Sequence, residues 1–196
     1  MTLYRPQDQG VRLHPSRYLE AGIRRLLGRI DAAVNRLYGW EGNPLYQSGT
    51  IAAALLLIVT VTGIYLLFFY RLGDPYTSIA RLTDQWWGGR WIRGLHRYAS
   101  DAVVIAIAAH ALRLYAQGRS WGPRALAWVS GVGLLALVMI CGWTGYVMIW
   151  DVQGQLLAQE GARLLDRRPI FSEPISRAFV SEKTLPSAFF FLNLFL

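Results

Sequence analysis

An uninterrupted charge-free run from Gln47 to Tyr70 constrains this chain more than any other feature. An α-helix rises about 1.5 Å per residue, so this run is long enough to cross the roughly 30 Å hydrocarbon core of a bilayer. Two further apolar runs cover residues 91–115 and 126–150, with most charges of the former near its ends. The sequence therefore predicts three membrane spans, here called span A, span B and span C.

The composition and charge agree with a membrane protein. Of the 196 residues, 54% are hydrophobic and 16% are charged, whereas soluble domains have about 25% charged residues. The net charge of +8 comes from arginines placed between the apolar runs, so we expect contacts with lipid headgroups and no nucleic-acid partner. The single cysteine, Cys141, lies inside an apolar run, which excludes disulfides and the CxxCH motif of c-type haem.

Both ends of the chain carry additional helical patterns. Residues 1–46 show no secretory signal but include an amphipathic helix, Ser16–Leu37, with arginines between its apolar positions. We interpret it as a helix on the membrane surface; a helix packed on a partner subunit is the alternative, and both could hold. Residues 184–196 are apolar but too short to cross, so they predict the start of an incomplete span D after an outer surface segment, residues 151–183.

Loop charges predict the orientation. The N-terminal segment has seven Arg against four acids, and the loop between spans B and C has three Arg and no acid. Cytoplasmic loops are enriched in Lys and Arg, so both regions are expected in the cytoplasm. The predicted fold is thus an all-α transmembrane helical bundle, with three full spans plus the start of a fourth, preceded by an amphipathic interfacial helix.

Two histidines, His96 and His110, lie within span B, fourteen positions apart. Fourteen helical steps of 100° end about 40° short of four turns, so both imidazoles project from one face, about 21 Å apart along the axis. A polar side chain in lipid is costly and usually functional, although a single histidine can also bond a neighbouring helix. The pair at this spacing favours metal or haem ligation.

Arginines and glycines follow the same pattern. Arg93 precedes His96 by three residues and Arg113 follows His110 by three, so each arginine lies about one turn outward from its histidine. Arginines in these positions could bind haem propionates or extend to the membrane surface. Glycine pairs with the spacing of the histidines also occur on the flanking spans, where a missing side chain would admit a flat macrocycle or allow close helix packing. These glycines are Gly49 and Gly63 in span A and Gly131 and Gly145 in span C.

From about Asn43 to its C-terminus the chain resembles the N-terminal, haem-carrying part of cytochrome b, closest to the cytochrome b6 type of quinol-oxidising complexes. The resemblance is carried by the segments TGIYLLFFYR, WIRGLHRYAS, AAHALRLY, GPRALAWVSGVGLL and GWTGYVMIWD. It implies two non-covalent b-type haems, with His96 binding the iron near the outer face and His110 the iron near the cytoplasm. It also implies that the two arginines meet propionates and that the four glycines make room for the porphyrins.

The sequence departs from the family in several places. The family takes the opposing haem ligands from two histidines of helix D, but no histidine follows His110. Ile149 replaces a family proline, and Gln47 replaces the cysteine that anchors an additional haem in b6 proteins, so no c-type haem is expected. The segment Val152–Arg168 resembles the outward helix that caps the quinol-oxidation pocket.

The resemblance implies an electron-transfer subunit of a respiratory or photosynthetic quinol oxidoreductase in a bacterial inner membrane. Expected partners are a subunit with the rest of the bundle or the opposing haem ligands, and an iron-sulfur or c-type cytochrome subunit; quinone or quinol is a possible ligand. One alternative is a cofactor-poor structural anchor derived from cytochrome b. Another, a transporter with histidine proton relays, lacks internal repeats and broken helices.

Overall fold

The computed structural model describes residues 15–167 and 185–196, and within these ranges all regular structure is helical. The α-helices are α1 (Pro15–Tyr38), α2 (Ser48–Leu67), α3 (Pro75–Asp84), α4 (Gly89–Ala116), α5 (Ala125–Val147), α6 (Val152–Asp166) and α7 (Leu185–Phe195). Three of them, α2, α4 and α5, are long and apolar enough to cross a membrane. The predicted all-α fold with three spans is therefore confirmed.

The helix bounds differ from the predicted spans mainly at the ends. Span A is preceded by a short 3-10 turn, Pro44–Gln47, which Asn43 caps by accepting a hydrogen bond from the Leu45 amide at 2.9 Å. The fully buried Asn43 also donates to the Asn35 side chain at 2.8 Å, which ties the end of α1 to the start of α2. The helix of span C ends at Val147, three residues earlier than predicted.

Helix α4 lies at the centre of the bundle, where α2 and α5 pack against it. The core between them is built on Ala52 of α2 and on Val103 and Ile107 of α4. The small Ala52 side chain allows α2 to approach α4 closely, because helix separation depends on the side chains at the contact. This close approach brings the histidine-bearing face of α4 against α2.

One helix in the loop between spans A and B was not predicted. Helix α3 lies between spans A and B, where no helix was predicted. Leu82 is its main anchor, with 1% of its surface exposed, and α3 packs on α4. A single buried leucine in a ten-residue helix is too weak a periodic signal to be read from the sequence.

The end of α5 turns back through α6 towards α7. Trp150 adopts a left-handed conformation with φ of 59°, which is unusual for a residue with a side chain and forms the corner before α6. Val147, Ala158 and Phe189 then form a second apolar cluster that joins α5, α6 and α7. The helical pattern after Val152 is confirmed by α6, and α7 confirms a helix in span D; residues 1–14 of the N-terminal segment and 168–184 of the outer segment lie outside the described residues.

Candidate functional site

The two histidines of α4 each face a glycine of α2. A Cβ atom added at Gly63 would lie 3.2 Å from Cε1 of His96, and one added at Gly49 would lie 2.9 Å from Cε1 of His110. Both imidazoles are half-buried. The spacing that the histidines share with the glycines therefore produces two histidine–glycine contacts along α4. After the predicted orientation, we call them the outer level (His96) and the inner level (His110).

Hydrogen bonds determine which nitrogen of His96 is free. Its Nδ1 lies 2.9 Å from the Thr62 hydroxyl and 3.2 Å from the Val59 carbonyl oxygen. The Thr62 hydroxyl donates its own proton to the Ile58 carbonyl at 2.6 Å, so it accepts from the imidazole. Nδ1 therefore carries the proton and Nε2 keeps a lone pair, which is the arrangement that a metal-binding histidine requires.

His110 has a similar hydroxyl neighbour. Its Nδ1 lies 3.1 Å from Oγ of Ser48, the first residue of α2. Thr62 and Ser48 each precede one of the α2 glycines, so a hydroxyl followed by glycine occurs twice, again fourteen positions apart. Neither hydroxyl was predicted as part of a site, although the repeated hydroxyl–glycine pair is visible in the sequence.

The arginines beside the histidines already have partners. Arg93 donates to the Thr83 hydroxyl of α3 at 3.0 Å. Arg113 donates two parallel hydrogen bonds to the carboxylate of Asp31 on α1, at 3.0 and 2.8 Å, and its guanidinium lies 4.8 Å from the ring centre of Tyr46. Both arginines lie towards the ends of α4, as predicted, but contact with a propionate stays a prediction.

The two glycines of α5 have different surroundings. A Cβ atom at Gly131 would meet no atom within 4 Å, whereas one at Gly145 would lie 3.8 Å from Nδ2 of Asn193 on α7. Helix α7 thus reaches the α5 wall at Gly145. Among the described residues, the space beside Gly131 is open.

Similar sequences occur among known proteins. A family described as cytochrome b/b6/petB matches residues 39–195, which is most of the chain. The chain belongs to the cytochrome b family. It is also 23% identical, over 146 residues, to the menaquinol:cytochrome c reductase cytochrome b subunit of Geobacillus thermodenitrificans. The matched region covers 74% of this chain and 65% of that relative.

Membership of the cytochrome b family implies b-type haem in a membrane protein, and the residues present suit such a group. His96 and His110 would hold the haem iron through Nε2. The bare backbone of Gly63 and Gly49 accommodates the two imidazoles. No cluster of three or more His, Cys, Asp or Glu able to hold a bare metal ion occurs among the described residues.

The haem, when bound, supplies one-electron redox chemistry in this cytochrome b. The chain's own residues set its surroundings: the Thr62 hydroxyl and Val59 carbonyl orient the His96 ring and increase the basicity of Nε2. An apolar cluster around Val103 and Ile107 lies between the two levels.

Proposed function

We propose that this chain is the membrane cytochrome b subunit of a quinol oxidoreductase complex and carries electrons across the bilayer through two b-type haems. One observation carries the proposal: His96 and His110 project from one face of one helix, and each faces a glycine of α2. A bundle that needed only to pack would not make room for two imidazoles within a membrane span, where polar side chains are costly.

The spacing suits transfer between the two membrane faces. The histidines are about 21 Å apart along α4, which places one near each end of a hydrocarbon core of about 30 Å. In the orientation favoured by loop charge, His96 serves the outer haem and His110 the cytoplasmic one, with the N-terminus in the cytoplasm of a bacterial cell. Arg93 and Arg113 would then lie near the propionates, each one turn outward from its histidine.

Quinol would react at the outer end, near α6. Helix α6 covers the end of α5, and the indole Nε1 of Trp150 at their corner is buried without a hydrogen-bond partner among the described residues. A buried donor without a partner is costly unless a ligand or water satisfies it. A quinone carbonyl is an acceptor of the right kind, and the Geobacillus relative is named as a menaquinol:cytochrome c reductase subunit.

The chain would work as an electron-transfer subunit of a complex rather than as an enzyme alone. Large apolar side chains such as Val129, Met139 and Leu57 are exposed on the spans, where lipid or partner subunits would cover them. We propose that the partners include the remaining cytochrome b helices and an iron-sulfur or c-type cytochrome subunit. These would complete the path from quinol to acceptor.

A structural membrane anchor without cofactors is the competing function, and the lack of histidine on α7 favours it. A reduced-minus-oxidised spectrum of the purified assembly separates the two, because an anchor has no b-type band. Within a haem-bearing assembly, His96→Leu and His110→Leu should each remove a different b haem. The matched control is His14→Leu, which lies outside the predicted spans and should leave both haems in place. A double variant, His96→Leu with His110→Leu, that kept the full b-haem absorbance would refute the proposal.

A further inference from the structure

The position on α7 that faces the outer level is occupied by Asn193. Its Nδ2 donates to the Cys141 carbonyl at 2.7 Å and to the Thr144 hydroxyl at 2.9 Å, and it is the atom nearest to a Cβ added at Gly145. Thr144 is fully buried. Asn193 is therefore fixed at the depth of Gly145 and is not a side chain at the membrane surface.

Gly145 and His96 lie at the same depth in the bundle. Tyr146, the residue after Gly145, places its ring 5.8 Å from the Arg97 guanidinium and donates to the Asp101 carboxylate at 3.2 Å. Arg97 follows His96 directly, and Asp101 lies little more than one turn further along α4. The contacts between α4 and α5 thus place His96, Gly145 and Asn193 at one level.

Helix α7 forms the wall beside α5 at this level. It packs on α5, and Phe190 stacks on Tyr70, just past the end of α2, with ring centres 5.0 Å apart and planes 1° apart. Helix α2 packs on α4 and α4 packs on α5. The four helices therefore form a ring in which α4 and α7 stand on opposite sides of the interior.

An iron bound to His96 has its second axial position on the side away from α4. A low-spin b haem needs a strong ligand there, such as a second imidazole. From Leu185 to Asn193, helix α7 descends past the outer level without a histidine, and the polar side chain that it brings to Gly145 is an amide. Helix α7, as described, contains no histidine, cysteine or methionine that could act as a strong haem ligand.

We infer that the outer haem has a single strong protein ligand, His96, and that its sixth position, beside Asn193, is open to a small uncharged ligand. The inference rests on the proposed function, because it requires haem at the outer level. Both N–H groups of Asn193 already donate, to the Cys141 carbonyl and the Thr144 hydroxyl, so only its amide oxygen is left free among the described residues, and this is a weak ligand that an incoming molecule displaces. Ligands of this class are small π-acceptor molecules, and carbon monoxide is the probe of choice.

The test uses the full chain in its assembled complex, in detergent or native membranes. After pyridine haemochrome quantification of the b haem, the dithionite-reduced complex is exposed to carbon monoxide. If one of the two haems has an open site, carbon monoxide should shift the absorbance of about half of the b haem. The same half should be high-spin in the oxidised state by electron paramagnetic resonance. Asn193→His should convert that fraction to low-spin and abolish its reaction with carbon monoxide.

Matched variants separate coordination from folding. Leu194→His places an imidazole on the exposed adjacent residue of α7, which is 55% exposed, and should leave the carbon monoxide reaction unchanged. Asn193→Ala removes the amide without adding a ligand and should retain the reaction. The inference is overturned if all b haem of the wild type is low-spin and does not react with carbon monoxide. It is also overturned if an assembled Asn193→His complex still reacts with carbon monoxide. Absence of all b haem instead overturns the proposed function.

Discussion

The hydroxyl of Thr62 accepts a hydrogen bond from Nδ1 of His96 at 2.9 Å while it donates its own proton to the Ile58 carbonyl at 2.6 Å. This pair of bonds connects the α2 backbone to the imidazole of α4. It orients the ring, fixes the proton on Nδ1 and leaves Nε2 for a metal. Helices α2 and α4 thus together determine the orientation of the His96 imidazole.

Replacement of this hydroxyl should alter the redox potential of the outer haem. Thr62→Val removes one acceptor from Nδ1, which lowers imidazole basicity and destabilises the oxidised iron. We expect the midpoint potential to rise by roughly 20–40 mV, because a hydrogen bond of about 1 kcal/mol corresponds to about 40 mV for one electron. Potentiometric titration of the b haems would measure it.

Thr60→Val is the matched control for that experiment. Within residues 15–167 and 185–196, the exposed Thr60 hydroxyl bonds only the Leu56 carbonyl of its own helix. Its loss should leave both potentials unchanged. Equal shifts in the two variants would mean that the effect arises from α2 as a whole and not from the His96 contact.

The α2 glycines should be intolerant of even one methyl group. Gly49→Ala would place Cβ 2.9 Å from the His110 ring, and Gly63→Ala would place it 3.2 Å from the His96 ring. We expect each variant to lose most of one haem and to keep the other, with the more severe effect at Gly49. The readout is b-haem content per protein together with the separate absorbance bands.

Gly133→Ala serves as the control for the glycine variants. Gly133 lies on a membrane span, away from the repeated glycine pattern, and an added Cβ there would meet no atom within 4 Å. Full haem content in this variant would show that alanine is tolerated on these helices in general. Loss of haem in all three variants would argue against specific glycine sites.

The ion pair between Arg113 and Asp31 should hold α1 against α4. Their side chains are 13% and 19% exposed, so the pair is partly buried and bidentate. Asp31→Asn should weaken the docking of α1 by about 1–2 kcal/mol, between the values for surface and buried pairs. Limited proteolysis within α1 would report the loosening.

Arg113→Gln distinguishes docking from a role at the inner haem. If Arg113 also meets a propionate, this variant should loosen α1 and reduce inner-haem retention, whereas Asp31→Asn should loosen α1 alone. Haem dissociation to apomyoglobin would be followed for both variants. If the two variants retained the inner haem equally well, Arg113 would act only in the docking of α1 on α4.

The sequence by itself determined the spans and the relative depths of the histidines and glycines along them. Charge-free runs of sufficient length permit few structures in lipid, and the helical repeat places His96 and His110 on one face regardless of tertiary contacts. The spacing shared by the histidines and glycines therefore predicted both levels. These properties depend on local geometry alone.

Only the tertiary structure decided which residues meet across helices. The proton acceptor of His96, the partner of Arg113 and the bond from Asn193 to Thr144 join residues 34, 82 and 49 positions apart in the chain. Helical periodicity states which face a side chain occupies but not which neighbour packs against it, because rotation and offset of packed helices depend on all of their side chains together. For the same reason, the sequence predicted α7 only as an incomplete span, and packing placed its asparagine at the level of the outer histidine.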